Sequence, residues 1–401
     1  MAILIFNRSK SFHFKEWLSD LNEELVLFTQ VSRSDLDNYN HVEMIESFDQ
    51  NGWTEIRAIE LHKNFNFHTI IGHSEYDLIR AARLREKFCI RGQRVESALA
   101  FRNKVLMKQL AAKGGVEVPT FRSVNSSIDL FEFIEENGFP IVIKPIDGGG
   151  SRHTQVLYNF DEMKLILQQG LPTNLMVEKF VSGEMYHVDG IMRNGEILFS
   201  CASRYINGCL AFTKGASLGS VILDKKSRIS NRLHQALSTV LASLPGAPIL
   251  AFHAEFFHTD DDRLLLCEIA SRTGGGRIID TIREVFGIDL NRLWIRLQCG
   301  LDETPQLTQK ADQLAGFLIV PPKNGKLLHL PKVVPFEWVV DYTSSVQPGQ
   351  TLQNAASSVD SIATLIVKGT TEKMVESRLN QLNEWYMNEL VWEEEWGGRI
   401  G

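Results

Sequence analysis

Between Ile249 and Ala270 the chain reads as two strands joined by a polar turn, and this segment constrains the fold more than any other. Ile249–His258 alternates in strand fashion, with Ala251, His253, Glu255 and Phe257 on one face. Thr259–Asp262 is a turn, and Arg263–Ala270 returns with Leu264, Leu266, Glu268 and Ala270 sharing a face. Folded as a hairpin, these strands bring Glu255 and Glu268 opposite each other or within one diagonal step. Two carboxylates held that close repel, so the pair requires a cation or a raised pKa. Oxygen ligands suit Mg²⁺, which keeps waters and shares its shell with phosphate oxygens. Taken alone, the pair also fits two glutamates on the wet face of an ordinary hairpin.

Two further segments carry chemistry. Phe139–Lys144 is an apolar strand that must end at Pro145, and Asp147-Gly148-Gly149-Gly150-Ser151 follows it. Consecutive glycines leave room for backbone N–H groups to approach a phosphate closely. Lys144, fixed at the strand end, supplies a point charge for the same anion. There is no GxxxxGK[ST] and no GxGxxG, so the loop is neither a P-loop nor a dinucleotide fingerprint. The plainer alternative is a flexible loop beside a surface lysine. Met176–Val181 is an apolar strand interrupted by Glu178-Lys179, with Gly183-Glu184 next. A strand running into a hinge there could offer backbone donors and acceptors to a flat heterocycle. An edge strand with a solvated ion pair is the simpler account of those residues. Arg272 and the glycines 274–276 come directly after the hairpin.

The rest of the chain bounds the answer. Its 401 residues suggest two or three domains. Acidic residues outnumber basic ones 49 to 42, and no domain is basic, which argues against a nucleic-acid partner. Apolar runs of about five residues are far short of the ~20 needed to cross a bilayer. Ala2–Phe6 is too short for a secretory leader core. The five cysteines are scattered, with no CxxC, so a reduced cytoplasmic protein without a structural zinc is expected. Strands at Ile3–Phe6, Leu25–Thr29 and Thr69–Gly72 alternate with helices at Phe14–Leu21 and Glu75–Phe88, which predicts a small α/β domain with a parallel sheet. A helix is expected over 97–113 and another over Asp129–Glu136. Further on come strands at Gly316–Val320 and Ile362–Val367, a helix at Glu372–Glu389 and a peripheral tail at Trp392–Gly401. Glu75 at a helix start favours the helix dipole, with the border of a substrate pocket as its other reading. His187 and His253 read as hairpin residues near the site, and Arg204, Tyr205 and Lys214 as candidates for an acceptor pocket.

Two metal-binding carboxylates, a phosphate lysine and a glycine flap, in this order, suggest an ATP site. The sequence resembles the ATP-grasp superfamily, carboxylate-amine ligase branch, over its first ~300 residues. Phe101-Arg102-Asn103-Lys104-Val105-Leu106-Met107-Lys108 with Gly115-Val116-Glu117-Val118-Pro119 resembles the family's R-D-K-x-x-M segment and its sequel, with Asn103 in place of Asp. The resemblance implies that Lys104 and Lys144 contact the ATP phosphates beneath Gly148, Gly149, Gly150 and Ser151. It also implies that Glu178, Lys179, Phe180 and Val181 form the adenine hinge. Met185 falls where the ribose carboxylate is usual, one residue after Glu184. Glu268-Ile269-Ala270-Ser271-Arg272 is similar to the family's E-x-N-x-R, with Ala270 in place of Asn and Ser271 or water as its substitute. Glu255 and Glu268 are then the metal ligands and Arg272 touches the transferred phosphoryl group. Arg277, with Gly275 and Glu75, is a candidate for holding the substrate; a surface salt bridge at a helix start is the other reading of Arg277.

The implied fold is α/β (α+β): a Rossmann-like N-terminal α/β domain (1–98), an ATP-grasp domain (99–305) with a lid subdomain at about 117–183, and a C-terminal α+β subdomain (306–401). The implied reaction is ATP-dependent activation of a carboxylate, of an amino acid by preference, as an acyl phosphate, followed by attack of an amine. ATP and one or two Mg²⁺ ions are the expected cofactors. Small carboxylates and amines are the expected partners, with no nucleic acid or membrane, and a homodimer is expected from the family's habit. Three alternatives are acylation of a carrier-protein thiol, a biotin-carboxylase-like reaction, and an ATP-binding module without turnover.

Overall fold

The computed structural model of the chain describes residues 1–306 and 313–393. The chain opens with β1 (Ala2–Asn7), α1 (Phe14–Trp17), β2 (Glu24–Thr29), β3 (His41–Met44), α2 (Trp53–Phe65), β4 (Phe67–Gly72) and α3 (Leu78–Lys87). The four strands form a parallel sheet in the order β3-β2-β1-β4. Alternate residues of β1 serve opposite faces: Leu4 and Phe6 join one apolar cluster, Ile3 and Ile5 the other. Burial on both faces is why these strands read as continuous apolar runs. Strand order reverses at β1, with β2 and β3 added on one side and β4 on the other, so the crevice past Asn7 and Gly72 is the expected place for a ligand.

Three helices differ from the sequence expectation. The helix expected over 97–113 is two helices, α4 (Val95–Arg102) and α5 (Lys104–Lys113). Asn103 leaves the helical region (ψ 103°), and its side chain accepts the Leu106 N–H as the N-cap of α5. Glu75 does not start a helix: α3 begins at Leu78, and Glu75 sits in the turn before it. The helix expected over Phe14–Leu21 also stops early, at Trp17.

The next unit is β5 (Phe121–Val124), α6 (Ser127–Asn137), β6 (Ile141–Pro145), β7 (Gln155–Leu157), α7 (Phe160–Gln169) and β8 (Leu175–Lys179). Its sheet runs β5-β8-β6-β7, all antiparallel. Ser126 and Asp129 close a capping box at the start of α6. Phe133, Ile134, Ile143 and Val177 lie in an apolar cluster formed within this unit. Phe133→Ala would cost about 3–5 kcal/mol there, because the neighbours cannot fill the hole.

Then come β9 (Glu184–Arg193), β10 (Glu196–Ile206), β11 (Leu218–Ile222), α8 (Arg228–Ser243), β12 (Ile249–His258), β13 (Leu264–Ala270), α9 (Ile278–Phe286), α10 (Leu290–Gln298), β14 (Leu314–Val320), β15 (Gly325–His329), β16 (Val339–Ser344), β17 (Thr351–Leu352), β18 (Ala363–Gly369), α11 (Glu372–Glu389) and β19 (Val391–Trp392). Eight of these strands make one sheet in the order β13-β12-β9-β10-β11-β14-β18-β16, and β17-β15-β19 form a small separate one. On one face Phe252 and Phe256 pack with Phe101 and Met107 of α4 and α5 and with Leu233 and Leu237 of α8. On the other, Ala251 and Ile191 meet Ile282 of α9 and Trp294 of α10. Gly183 is needed where the chain enters β9: its φ is +140°, and a Cβ would lie 2.1 Å from the His258 carbonyl oxygen. Of the tail expected to be peripheral, residues 394–401 lie outside the described residues.

The β12–β13 hairpin pairs Glu255 directly with Glu268. A bulge at Cys267 then shifts the register, so that Phe256 pairs with Leu266. This corrects one expectation: Leu264 and Leu266 do not share the face of Glu268 but pack into the opposite apolar cluster.

Candidate active site

A cavity of about 850 Å³ lies between the 121–179 unit and the large sheet. Strand β6 brings Lys144 to its wall, and Gly148, Gly149 and Ser151 follow from the loop. The hinge contributes Glu178, Lys179, Phe180, Val181 and Glu184. The hairpin contributes Glu255, Cys267 and Glu268, and the start of α5 contributes Lys104. A second cavity of about 840 Å³ opens at the carboxyl ends of β1 and β4. Phe12, Trp17, His73, Glu75 and Tyr76 line it from the N-terminal sheet, Gly150 from the loop, and Arg272 and Gly275 from the segment after the hairpin.

The charges in the first cavity are paired. Glu178 is buried between two lysines, Lys144 Nζ at 2.5 Å and Lys108 Nζ at 3.2 Å. Burial opposes ionisation of Glu178, but the two ammonium groups hold its carboxyl below the ordinary range. The lysines answer differently. Burial lowers the Lys144 pKa, but the closer Glu178 overrides it and the net shift is upward. At Lys108 burial wins and the pKa falls. Lys104 Nζ lies 3.3 Å from Glu268 and donates to the Gly148 carbonyl at 2.6 Å, tying the glycine loop to the hairpin. Burial would raise the Glu268 pKa, but Lys104 and Lys144 bring it to about 2. Buried pairs of this kind add little net stability. Their effect is to fix charge at known places.

Glu255 is held from behind. Its Oε1 accepts from the Tyr205 hydroxyl at 2.9 Å, and His253 Nε2 stands 3.4 Å away. His253 Nδ1 hydrogen-bonds Asp189 at 2.9 Å, Asp189 hydrogen-bonds His187 at 2.6 Å, and His187 reaches Ser220 at 2.8 Å. Burial favours neutral His253, but Asp189 and Glu255 push its pKa up to about 10. His187, Asp189 and His253 place ligand-type atoms within 4.8 Å of one another, yet these atoms already satisfy each other. Gly274 closes the back of this chain, because a Cβ there would sit 2.4 Å from Asp189 Oδ1.

Glu255 and Glu268 fit a divalent cation: both are acid oxygen donors, opposite in register, facing one cavity. Between the two cavities, Glu75 accepts from Arg102 at 2.6 Å and from Arg272 at 2.8 Å. Burial works against its charge, but the two guanidinium groups hold it ionised below the usual range.

The remaining expectations fare unevenly. Glu184 lines the first cavity, but its carboxylate is engaged by the Tyr186 hydroxyl at 2.6 Å and Arg204 at 3.2 Å. The Lys179 ammonium turns away to the carbonyls of Asn137, Gly138 and Phe139, where α6 ends. Arg277 lines neither cavity: it binds Asp280 at 2.7 Å, Thr364 at 2.8 Å and Asp341 at 2.9 Å, the salt bridges of its other reading. Ser271, offered as a substitute for the usual Asn, turns its buried hydroxyl to Gln93 at 3.4 Å. Arg204, Tyr205 and Lys214 border the first cavity, with Glu255, and not the second. Sequence reasoning gave no role to Lys108, although it lies one helical turn after Lys104 and so must share its face.

Three comparisons bear on this geometry. Residues 109–276 match the ATP-grasp domain family. The chain is 26% identical over 347 residues to an L-arginine-specific L-amino acid ligase of Bacillus subtilis, covering 82% of this chain and 81% of that one. It is 23% identical over 269 residues to the alanine–anticapsin ligase of Bacillus subtilis (strain 168), covering 61% of this chain and 56% of the other. The crystal structure of an L-amino acid ligase from Bacillus licheniformis superimposes with a TM-score of 0.78 at 15% identity, over 98% of this chain and 99% of that one.

Proposed function

We propose, on the premise that this chain is an ATP-grasp protein of the carboxylate-amine ligase group, that it uses ATP to join a carboxylic acid and an amine, releasing ADP and phosphate. The first cavity takes ATP and the second takes the acid. A carboxylate oxygen of the acid bonds to the γ-phosphorus, and the bond from that phosphorus to the β,γ-bridging oxygen breaks, its electron pair leaving with ADP. The amine nitrogen then bonds to the acyl carbon, the carbon–oxygen bond to phosphate breaks, and the amine loses a proton to solvent. The protein supplies no covalent nucleophile. Its residues position two anions and offset their repulsion.

In this reading Lys104, Lys144 and the backbone of the glycine loop hold the phosphates, and Arg272 meets the group being transferred. The hinge of Glu178–Val181 receives the adenine through its backbone. Glu255 and Glu268 would hold one or two Mg²⁺ ions, which when bound neutralise phosphate charge. An L-amino acid is the proposed acid, which the likeness to the arginine-specific ligase supports. The product is then a dipeptide or an aminoacylated small molecule. Among the described residues no helix is long and apolar enough to cross a membrane, and all five cysteines are unpaired. We place the protein in the reducing cytoplasm on the second of these facts.

The observation that carries the proposal is the direct pairing of Glu255 with Glu268 in the cavity that Lys144 and the glycine loop also line. A panel of amino acids, singly and in pairs, tests it through phosphate release and product mass. Amino-acid-dependent release with a condensed product is expected. Stimulation by bicarbonate alone would convert the reading to a biotin-carboxylase-like one, and nucleotide binding without any turnover would convert it to a sensor.

A further inference from the structure

The two cavities meet at Gly149 and Arg152, the residues that line both. Gly149 stands against the Glu75 side chain, where a Cβ would meet Glu75 Cγ at 3.6 Å. The junction therefore lies beside the Glu75–Arg272 pair. A phosphoryl group passing from nucleotide to acid must cross this place, if the ligase reading on which this inference rests is right. We propose that the Arg152 guanidinium grips the phosphoryl group in transit and is a catalytic residue of the first half-reaction.

The cations nearby explain why Arg152 stands apart. Lys104 is paired with Glu268, Lys144 with Glu178, and Arg102 and Arg272 with Glu75. Arg152 is exposed, and its side chain has no hydrogen bond or ion pair among the described residues; only its backbone N–H is engaged, with the Gly149 carbonyl at 3.4 Å. The loop that carries it is anchored. Asn174 binds the Asp147 carboxylate at 2.6 Å, Arg102 donates to the Asp147 carbonyl, and the Ser358 N–H donates to the Gly150 carbonyl at 3.0 Å. An anchored backbone with one free guanidinium is prepared for a ligand rather than for a protein partner. The group to be gripped fits: the transferring phosphoryl spreads charge over its equatorial oxygens, and a planar fork of donors meets two of them at once. In the step itself the acid oxygen–phosphorus bond forms as the bond to the bridging oxygen of ADP breaks. Arg152 exchanges no proton and only stabilises the charge.

The test uses the full chain with Mg²⁺, ATP labelled with ¹⁸O at the β,γ-bridge, and an amino acid that the wild type activates. Scrambling of the label reads acyl-phosphate formation without the amine, and ATP binding is measured separately. Arg152→Ala is expected to lower acid-dependent scrambling and kcat by about 10²-fold or more, the scale for losing one preorganised charge. The ATP dissociation constant should stay near wild type, and Arg152→Lys should recover part of the rate. Wild-type rates in Arg152→Ala, or a loss explained wholly by weaker ATP binding, would overturn the proposal and leave the ligase reading standing. A wild type that neither scrambles label nor releases ADP with any acid would overturn both.

Discussion

The two cavities are built by opposite strategies. The first is walled by short contiguous segments whose charges answer each other: Glu178 between Lys108 and Lys144, Glu268 against Lys104. The second is assembled from loops far apart in sequence, with Phe12, His73 and Tyr76 facing Arg272, Gly275 and Val359. In the proposed reading the first receives a phosphate chain of one fixed geometry, and the second an acid whose shape can differ, so its lining sits on loops that can change independently. Between them stands Glu75, bound from both sides by arginines.

This contrast can be broken most forcefully at the hairpin. Glu268→Gln removes a charge at nearly constant volume, so turnover should fall by roughly 10³-fold or more while the thermal midpoint barely moves. Near-normal turnover in single-cycle assays would show that the paired carboxylates are not the metal site. Lys144→Ala should weaken ATP binding by about 1.5–3 kcal/mol, the range for a hydrogen bond to a charged group. An unchanged nucleotide affinity by calorimetry would reduce Lys144 to a structural cation.

Acidity separates the cavities in another way. His73, stacked on Phe12 at 3.9 Å, is buried, and that burial, with Arg8 nearby, lowers its pKa from 6.5 to about 3. The unfolded chain therefore takes up this proton first. The stability linked to neutral His73 is complete above about pH 6.5 and is lost as pH falls towards 3, reaching about 2 kcal/mol by pH 5. His73→Gln should remove that slope from denaturant titrations between pH 7 and 5. Glu178 and Glu268 stay ionised and Lys144 protonated across that window, so the first cavity keeps its charges. If the slope survives in His73→Gln, the neutral histidine is not its source. Val359, exposed on the second cavity and 3.8 Å from where a Gly275 Cβ would lie, offers a smaller effect. Val359→Phe should lower kcat/KM for bulky acids by about tenfold, at the low end for a change of pocket volume, with the KM for ATP unchanged. Smallest of all, Asn103→Ala should cost about 1 kcal/mol as a lost N-cap, whereas Asn103→Asp should be nearly neutral. Equal losses in both variants would show that the family's usual residue is not tolerated here.

The same contrast governs what could be read from the sequence. Lys144, the three glycines, and Glu255 opposite Glu268 were legible because each rests on strand periodicity or local turn chemistry. So were the parallel-sheet strands around Ile3–Phe6 and Thr69–Gly72, and the helix Glu372–Glu389 to the residue. Periodicity could not foresee the bulge at Cys267, which turned Leu264 and Leu266 to the other face. Nor could it foresee that Asn103 would break one helix into two. Arg204, Tyr205 and Lys214, read as candidates for an acceptor pocket, border the first cavity, where β10 brings the Tyr205 hydroxyl to Glu255, a placement no local pattern announces. The small sheet of β15, β17 and β19 joins segments whose pairing partners lie tens of residues apart, and nothing local announces it.

One helix, α10, joins the first sheet to the large one. Ile295 of α10 is buried within the apolar cluster of the N-terminal sheet, and Arg296 clasps the Trp17 carbonyl at 2.6 Å and both Asp20 oxygens at 2.6 and 2.7 Å. Prising the first sheet from the large one means extracting a hydrocarbon side chain and unclasping a guanidinium. Raising residues 121–179 leaves that joint alone and gives up polar grips: Lys104 on Gly148 and Ile146, Arg102 on Asp147, Ser358 on Gly150 and Lys108 on Glu178. The half of the second cavity that stands on the first sheet is thus joined to the large sheet by apolar burial as well as by charge, whereas the loop that roofs it from residues 121–179 is held by polar contacts.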